Sequence, residues 1–283
     1  MATPQTALNA PGWHGSLDLG FARGACMTRI VRRRHRGPLY VQQPFYPEGA
    51  PCHVCVLHPP GGMVAGDTLA LALDVGPHAH ALITTPAASK YYRSAGAQAR
   101  VSQDFKVADG AVLEWLPQEA IVFETARVVS RYRVELADTA VFIGWDLVCL
   151  GRRAQGERFE SGHFVQTWSI RRSQRLLWRE RTEYLGGDVA LSAAFGLKGY
   201  GVVATLVATV DRAPIAAAVP KLQELCRTRQ GMQAAVTVLD GVLVCRGLGD
   251  HTEVLRNFLI EAWHILRPVT VGRPACVPRI WQT

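Results

Sequence analysis

Along most of the chain, apolar and polar residues recur with the two-residue period of strands, not the 3.6-residue period of helices. Thr68 to Val75 reads TLALALDV and ends at a Gly76-Pro77 turn; His80 to Thr85 follows at once. Gln98 to Val107 places Val101, Gln103, Phe105 and Val107 on one face and Ser102, Asp104 and Lys106 on the other. Asp109-Gly110 is a hairpin signal, and Ala111 to Trp115 and Ala120 to Phe123 continue the pattern. Arg127 to Leu136 sets Val129, Arg131, Arg133 and Glu135 against Val128, Tyr132, Val134 and Leu136. Ala140 to Leu150 is apolar nearly throughout, the pattern of a strand covered on both faces. His163 to Arg171 and Gln174 to Tyr184 read as a further pair, and Ala234 to Leu239 with Val242 to Cys245 as a hairpin around Asp240-Gly241.

Helical spacing comes late. Leu222, Leu225 and Cys226 form a stripe closing at Gly231, with Pro220 in the first turn or kinking a longer helix from near Pro214. A second helix opens on Asp250 and Glu253 at capping-box spacing. It runs through Leu255, Phe258, Leu259, Ala262 and Leu266, and Pro268 is expected to stop it. The chain therefore reads as an all-β dominated fold of a dozen or more strands with about two helices near the C-terminus. No alternating strand-helix pattern suggests a Rossmann or barrel enzyme. No Gly-, Ser- or Pro-rich linker divides it, so residues 1–283 are expected to form one domain, with 1–11 as a flexible N-terminal segment.

The 283 residues are 48% apolar and 19% charged, a composition that excludes disorder and is ample for a core without disulfides. No 18-residue apolar run predicts a membrane span, and no basic start with an apolar stretch predicts a secretory leader. Thirty-one basic against twenty-three acidic residues give +8, which favours an anionic partner: nucleic acid, membrane or an acidic protein surface. Part of the excess is local, at Arg29, Arg32, Arg33, Arg34 and Arg36. It reads first as a solvated strand edge blunted against unwanted pairing. Seven cysteines, mostly among apolar neighbours, fit reduced thiols of a cytosolic protein.

Several clusters carry chemistry. In His58-Pro59-Pro60-Gly61-Gly62-Met63-Val64-Ala65-Gly66-Asp67, Asp67 either caps the backbone of a tight loop or faces a cavity or path. Cys52, His53, Cys55 and His58 suggest zinc only weakly, because Cys52 and Cys55 point to opposite sides of a strand and no second pair has finger spacing. Thr84 to Ser94 (TTPAASKYYRS) has the hydroxyls and cations to bind an anion or line a polar channel, or to form a well-bonded loop. Acidic pairs such as Glu114/Glu119 and Asp146/Glu157 show no spacing that assigns an acid and a base. No nucleophile elbow is present.

Five blocks in order give a sharper reading: HPPGGMVAGDTL at 58–69, TTPAASKYYRS at 84–94, LEWLPQEAIVFE at 113–124, GWDLVCLGRRAQGERFESG at 144–162 and LRPVTVGRPACVPRIW at 266–281. Together with GWHGSLDLGF and RGPLYVQQPFYPEG they resemble the urease accessory protein UreD (UreH) family from about residue 12 onward. Ala65 stands where a further Gly is usual in that pattern, and Glu119-Ala120 replaces an acidic-then-Thr pair. The resemblance implies a β-rich, helically wound fold and a non-enzymatic, cytoplasmic role in urease maturation. It implies docking on apo-urease and on UreF, with the GTPase UreG reached through UreF, and no tightly bound cofactor. It further implies Ni²⁺ in transit through an internal tunnel, with Asp67, Asp146 and Glu180 as transient carboxylate contacts and Thr85, Ser89 and Lys90 as lining candidates. Oxygen ligands and water suit a conduit, since a closed Cys/His cage would hold the ion too tightly. The rival readings are a β-solenoid carbohydrate-active enzyme, which requires paired carboxylates in an external groove, and a nucleic-acid-binding module built on Arg29 to Arg36.

Overall fold

A computed structural model describes residues 12–209 and 215–282. The expected flexible segment 1–11 and the helix start near Pro214 lie outside the described residues. Strands β1 (His14–Arg23) and β2 (Thr28–Arg36) form an antiparallel pair, and the short β3 (Tyr40–Val41) leads to β4 (Cys52–Leu57). The chain then winds through β5 (Thr68–Val75), β6 (His80–Thr84), β7 (Ser89–Tyr91), β8 (Ala99–Val107), β9 (Val112–Leu116), β10 (Ala120–Val122), β11 (Arg127–Leu136), β12 (Val141–Leu150) and β13 (His163–Arg172). Next come β14 (Arg175–Leu185), the single turn α1 (Val189–Ser192), β15 (Val202–Thr209), α2 (Val219–Thr228), β16 (Met232–Leu239), β17 (Val242–Gly249) and α3 (Thr252–Thr270).

Winding alternates between two sheets. One has seven strands in the order β14-β13-β11-β8-β5-β1-β2; the other runs β16-β17-β15-β12-β9-β6-β4-β3, with β10 and β7 attached beside β12. Successive coils stack in parallel, β5 on β8 on β11 in the first sheet and β6 on β9 on β12 in the second. The result is a β-solenoid.

The coil shape explains a departure from the pattern. Asp109-Gly110 does not close a hairpin: β8 ends in the first sheet and β9 begins in the second. Ala79, Ala111 and Ala140 occupy the same corner in three successive coils, and all are buried. Val112 N–H donates to Ala79 C=O and Val141 N–H to Ala111 C=O, each at 2.9 Å, so the corners stack on one another. Gly110 at φ +64° supplies the left-handed step into the corner. The Arg172–Arg175 connection is a true hairpin turn, with Ser173 and Gln174 both at positive φ.

Burial follows the patterning. β11 alternates exposed and buried residues, whereas β12 is buried along nearly its whole length, as its apolar run predicts. One core cluster fills the space between the sheets; a second lies between the second sheet and helices α2 and α3. Leu255, Phe258, Leu259, Trp263 and Leu266 of α3 are all buried there, each large side chain contributing roughly 1.5–3 kcal/mol. Pro268 does not stop α3, which runs to Thr270. Proline sits in the last turn, so little helix remains to be broken, and Val271 N–H donates to Arg267 C=O beyond it. Nor is Asp250 the cap. His251 holds that position without a side-chain bond, and Asp250 accepts instead from Gly201 N–H at 3.3 Å. Pro220 lies in the first turn of α2. No helix among the described residues is long and apolar enough to cross a membrane.

Candidate functional site

The interior between the two sheets is not solid. A cavity of about 160 Å³ opens where polar side chains replace apolar ones on several strands at one level. In the first sheet Gln103 of β8 is registered beside Tyr132 of β11, and Ser130 beside Gln166 of β13. Across from them, Asp146 of β12 points inward from the second sheet, its carboxylate accepting a hydrogen bond from Gln166 Nε2 at 2.5 Å. Tyr91 of β7 completes this belt. Strand alternation puts these residues inside: each shares its face with core residues such as Phe105, Val134 and Phe142.

Asp146 is only 6% exposed and has no cationic partner among the described residues. Burial pushes its carboxyl up to about 6, against the opposing pull of the Gln166 amide and the Leu147 backbone N–H. The same burial, with the Asp146 charge nearby, raises the hydroxyls of Tyr91, Tyr132 and Tyr184 above the usual phenol range. Gln103 Oε1 and Trp168 Nε1 are buried and reach no protein partner among the described residues. A cavity this size has room for several waters, which can meet such groups.

The segment after β6 forms the rim. Thr85, Ser89 and Lys90 all line the cavity, as do His58 and Gln118. Thr85 Oγ1 accepts from Gln118 N–H at 2.9 Å and donates to Ala87 C=O at 3.3 Å, so its hydroxyl also braces the rim. Ser89 is exposed. Lys90 borders a second, open cleft of about 920 Å³ as well, together with Cys149, Arg152, Arg153, Asp250 and His251. It therefore stands between the interior and that outer cleft. Burial lowers the His58 ring below its ordinary range, opposed by the charge of Asp67.

Asp67 and Glu180 occupy different places. Asp67 is buried, but it ties the loop: Oδ1 accepts from Trp13 N–H at 2.8 Å and Oδ2 from Val64 N–H at 2.9 Å. Its neighbours Met63 and Leu69 reach the cavity wall. Glu180 of β14 lies on the inward face, beyond the cavity lining, and pairs with Arg246 of β17 across the gap between the sheets. The structure thus brings Asp146, Thr85, Ser89 and Lys90 to one cavity and sets Asp67 and Glu180 beside it.

The weaker motifs resolve separately. Cys52, His53, Cys55 and His58 do not converge: Cys52 Sγ lies 3.7 Å from Tyr46 Oη, His53 bonds Glu48, and His58 lines the cavity. No three His, Cys, Asp or Glu residues gather as a metal cluster among the described residues. All seven cysteines are free thiols. The acidic pairs are not paired with each other. Glu119 meets Arg256, and Glu157 meets Arg152 and Arg93.

Sequence patterning misses one constellation. Glu114 and Arg267 are both fully buried and joined, Arg267 Nε lying 3.0 Å from Glu114 Oε2. Glu114 also meets His80 Nε2 at 2.7 Å and accepts from Trp263 Nε1 at 2.7 Å. The Arg267 guanidinium goes on to Glu48, which accepts from its Nη1 at 2.9 Å and meets His53 at 2.7 Å, and to the Pro274 carbonyl. This relay ties β9, the segment before β4, α3 and the C-terminal segment into one unit. Burial alone would raise Glu48, but the bonds from His53 and Arg267 outweigh it and hold its carboxyl down at about 2. The available signal was a charge in an apolar run, Leu113-Glu114-Trp115, and an arginine on the buried stripe of α3.

Comparison with known proteins identifies the family. The family model described as UreD urease accessory protein matches residues 14–282. A urease accessory protein UreD of Dechloromonas aromatica is 47% identical over 279 residues, covering 97% of this chain and 96% of its own length. One from Azoarcus sp. is 46% identical over 279 residues, covering 96% and 95%. One from Pseudomonas aeruginosa is 45% identical over 278 residues, covering 96% of each. Matched over almost its whole length by the family model and by these relatives, the chain belongs to the UreD family of urease accessory proteins.

Proposed function

We propose that this chain is a non-enzymatic urease maturation factor that docks on apo-urease and on UreF, with UreG reached through UreF, in the cytoplasm. In this reading it holds no resident cofactor. Ni²⁺ is cargo, and it crosses the interior past Asp146 on its way to the urease active site. The observation that carries the reading is the cavity between the sheets, whose largely apolar wall carries a belt of polar groups and a carboxylate that no cation among the described residues neutralises. A buried carboxylate is costly unless water or a passing ion accompanies it. Asp146, Gln166, Gln103, Ser130 and the rim hydroxyls offer oxygen ligands, which replace part of the hydration shell of a divalent ion without trapping it. Lys90 at the rim would oppose entry of a cation and so gate the route; Asp67 and Glu180 would shape its ends.

The test uses the chain co-expressed with urease subunits and accessory proteins. Asp146→Asn is expected to leave capture of apo-urease and UreF unchanged while lowering nickel per urease active site severalfold, read by metal analysis of the purified urease. Unchanged nickel content at ordinary expression refutes the conduit.

A further inference from the structure

The outer face of the first sheet is the largest charged surface that the cavity reading leaves unused. Helices α2 and α3 pack on strands of the second sheet, so that sheet has both faces covered. Among the described residues no helix packs on the outer face of the first sheet, whose seven strands span a width of roughly 29 Å at about 4.8 Å per strand.

Register defines what this face displays. One row across the strands reads Arg36, Ser16, Ala70, Ser102, Arg131, Thr167, Arg181. The next reads Arg34, Asp18, Ala72, Asp104, Arg133, Ser169, Arg179. Small residues in the middle form a low floor. Arginines rise on either side, those of β2 and β11 being four strand spacings, roughly 19 Å, apart. Some of the charge is already spent: Arg32 is held by Asp18 and Asp74, Arg133 by Asp104 and Arg181 by Glu183. Arg34, Arg36, Arg131 and Arg179 are exposed and meet no carboxylate among the described residues. A row of unneutralised guanidiniums on a flat, uncovered sheet is complementary to carboxylates on a facing surface.

The remaining chemistry selects a protein over a nucleic acid. Asp18, Asp74, Asp104, Glu135 and Glu183 are interleaved on the same face and would repel a phosphate backbone, whereas an acidic protein surface that also carries a few basic side chains can match them. Every Phe, Tyr and Trp on these seven strands is buried, so the rows between the arginine rims offer bases no ring to stack on; the exposed Trp13 lies before β1. We infer that the outer face of the first sheet docks an acidic protein surface through Arg34 and Arg36 on one rim and Arg131 and Arg179 on the other. This rests on the reading of the chain as a docking factor, and identifies the face and the charge of the partner.

The experiment uses the full-length chain with apo-urease and, separately, UreF as probes. Arg36→Glu with Arg131→Glu reverses one charge on each rim; Arg158→Glu with Lys221→Glu makes the same change in net charge elsewhere. The first variant is expected to weaken capture of one probe roughly tenfold at low salt, with the gap closing at high salt, while the second leaves it unchanged. If the first variant is poorly folded, the milder set Arg34→Gln, Arg36→Gln, Arg131→Gln and Arg179→Gln replaces it. Undiminished capture of both probes by the rim variants overturns the inference and leaves the docking function standing. Failure of the unaltered chain to capture either probe overturns both. Rim variants that lose binding to a random RNA oligomer, with protein capture intact, reassign the face to nucleic acid and also overturn it.

Discussion

Replacing Asp146 by asparagine keeps the shape of the side chain and removes an interior charge of the cavity that no cation among the described residues balances. Its carboxyl titrates at 3.8 in the unfolded chain and at about 6 in the folded one, chiefly because burial disfavours the anion. Below pH 3.8 the group is protonated in both states and carries no penalty. Between the two values the folded state holds a proton that the unfolded state has lost, so stability falls as pH rises. Above about pH 6 the folded chain bears the whole cost. A difference of about 2 pKa units is worth about 3 kcal/mol. The Asp146→Asn variant would avoid that cost, less part of the Gln166 and Leu147 bonds. For a chain of this length about 3 kcal/mol corresponds to roughly 5 °C in Tm. The assay is thermal unfolding by tryptophan fluorescence of both proteins at pH 5, 6, 7 and 8, with other titrating groups cancelling in the difference. The variant should melt higher at pH 7 and 8, and the gap should shrink by pH 5. A gap that is flat with pH, or a variant less stable at pH 8, would show that Asp146 is not a buried, uncompensated charge.

Two further perturbations probe the frame around the cavity. Arg267→Met strands Glu114 and Glu48 as buried carboxylates without their cation, and should cost roughly 3–5 kcal/mol, read as a lower urea midpoint; adding Glu114→Gln should recover part of the loss, and no recovery would contradict the pairing. Asp67→Ala removes the acceptor of both the Trp13 and Val64 N–H groups and should cost roughly 1–3 kcal/mol, with faster protease cleavage within 58–67; an unchanged cleavage rate would argue against its role as a loop tie.

Strand periodicity made the β-rich fold legible because one face of each first-sheet strand meets the core and the other meets solvent, as in β11. It could not say where coils turn. Asp109-Gly110 has the chemistry of a hairpin, yet it is a corner, because the two strands it joins find partners in neighbouring coils and not in each other. For the site, Gly-Trp-Asp at 144–146 marked a carboxylate in an apolar strand, and the fold places it in the cavity. Asp67 looked similar in sequence, but two backbone N–H groups claim its oxygens. Glu114 and Arg267, 153 positions apart, carry no shared local signal, and only folding makes them a pair.

What the sequence alone determined is therefore what depends on near neighbours along the chain: strand faces, the two late helices, the arginine-rich β2 and the family motifs. What tertiary structure decided is which polar groups share an interior. That choice is set by stacking of coils and by desolvation, which join residues far apart in the chain and make the same carboxylate a loop tie at Asp67, half of an ion pair at Glu114 and an unneutralised charge at Asp146.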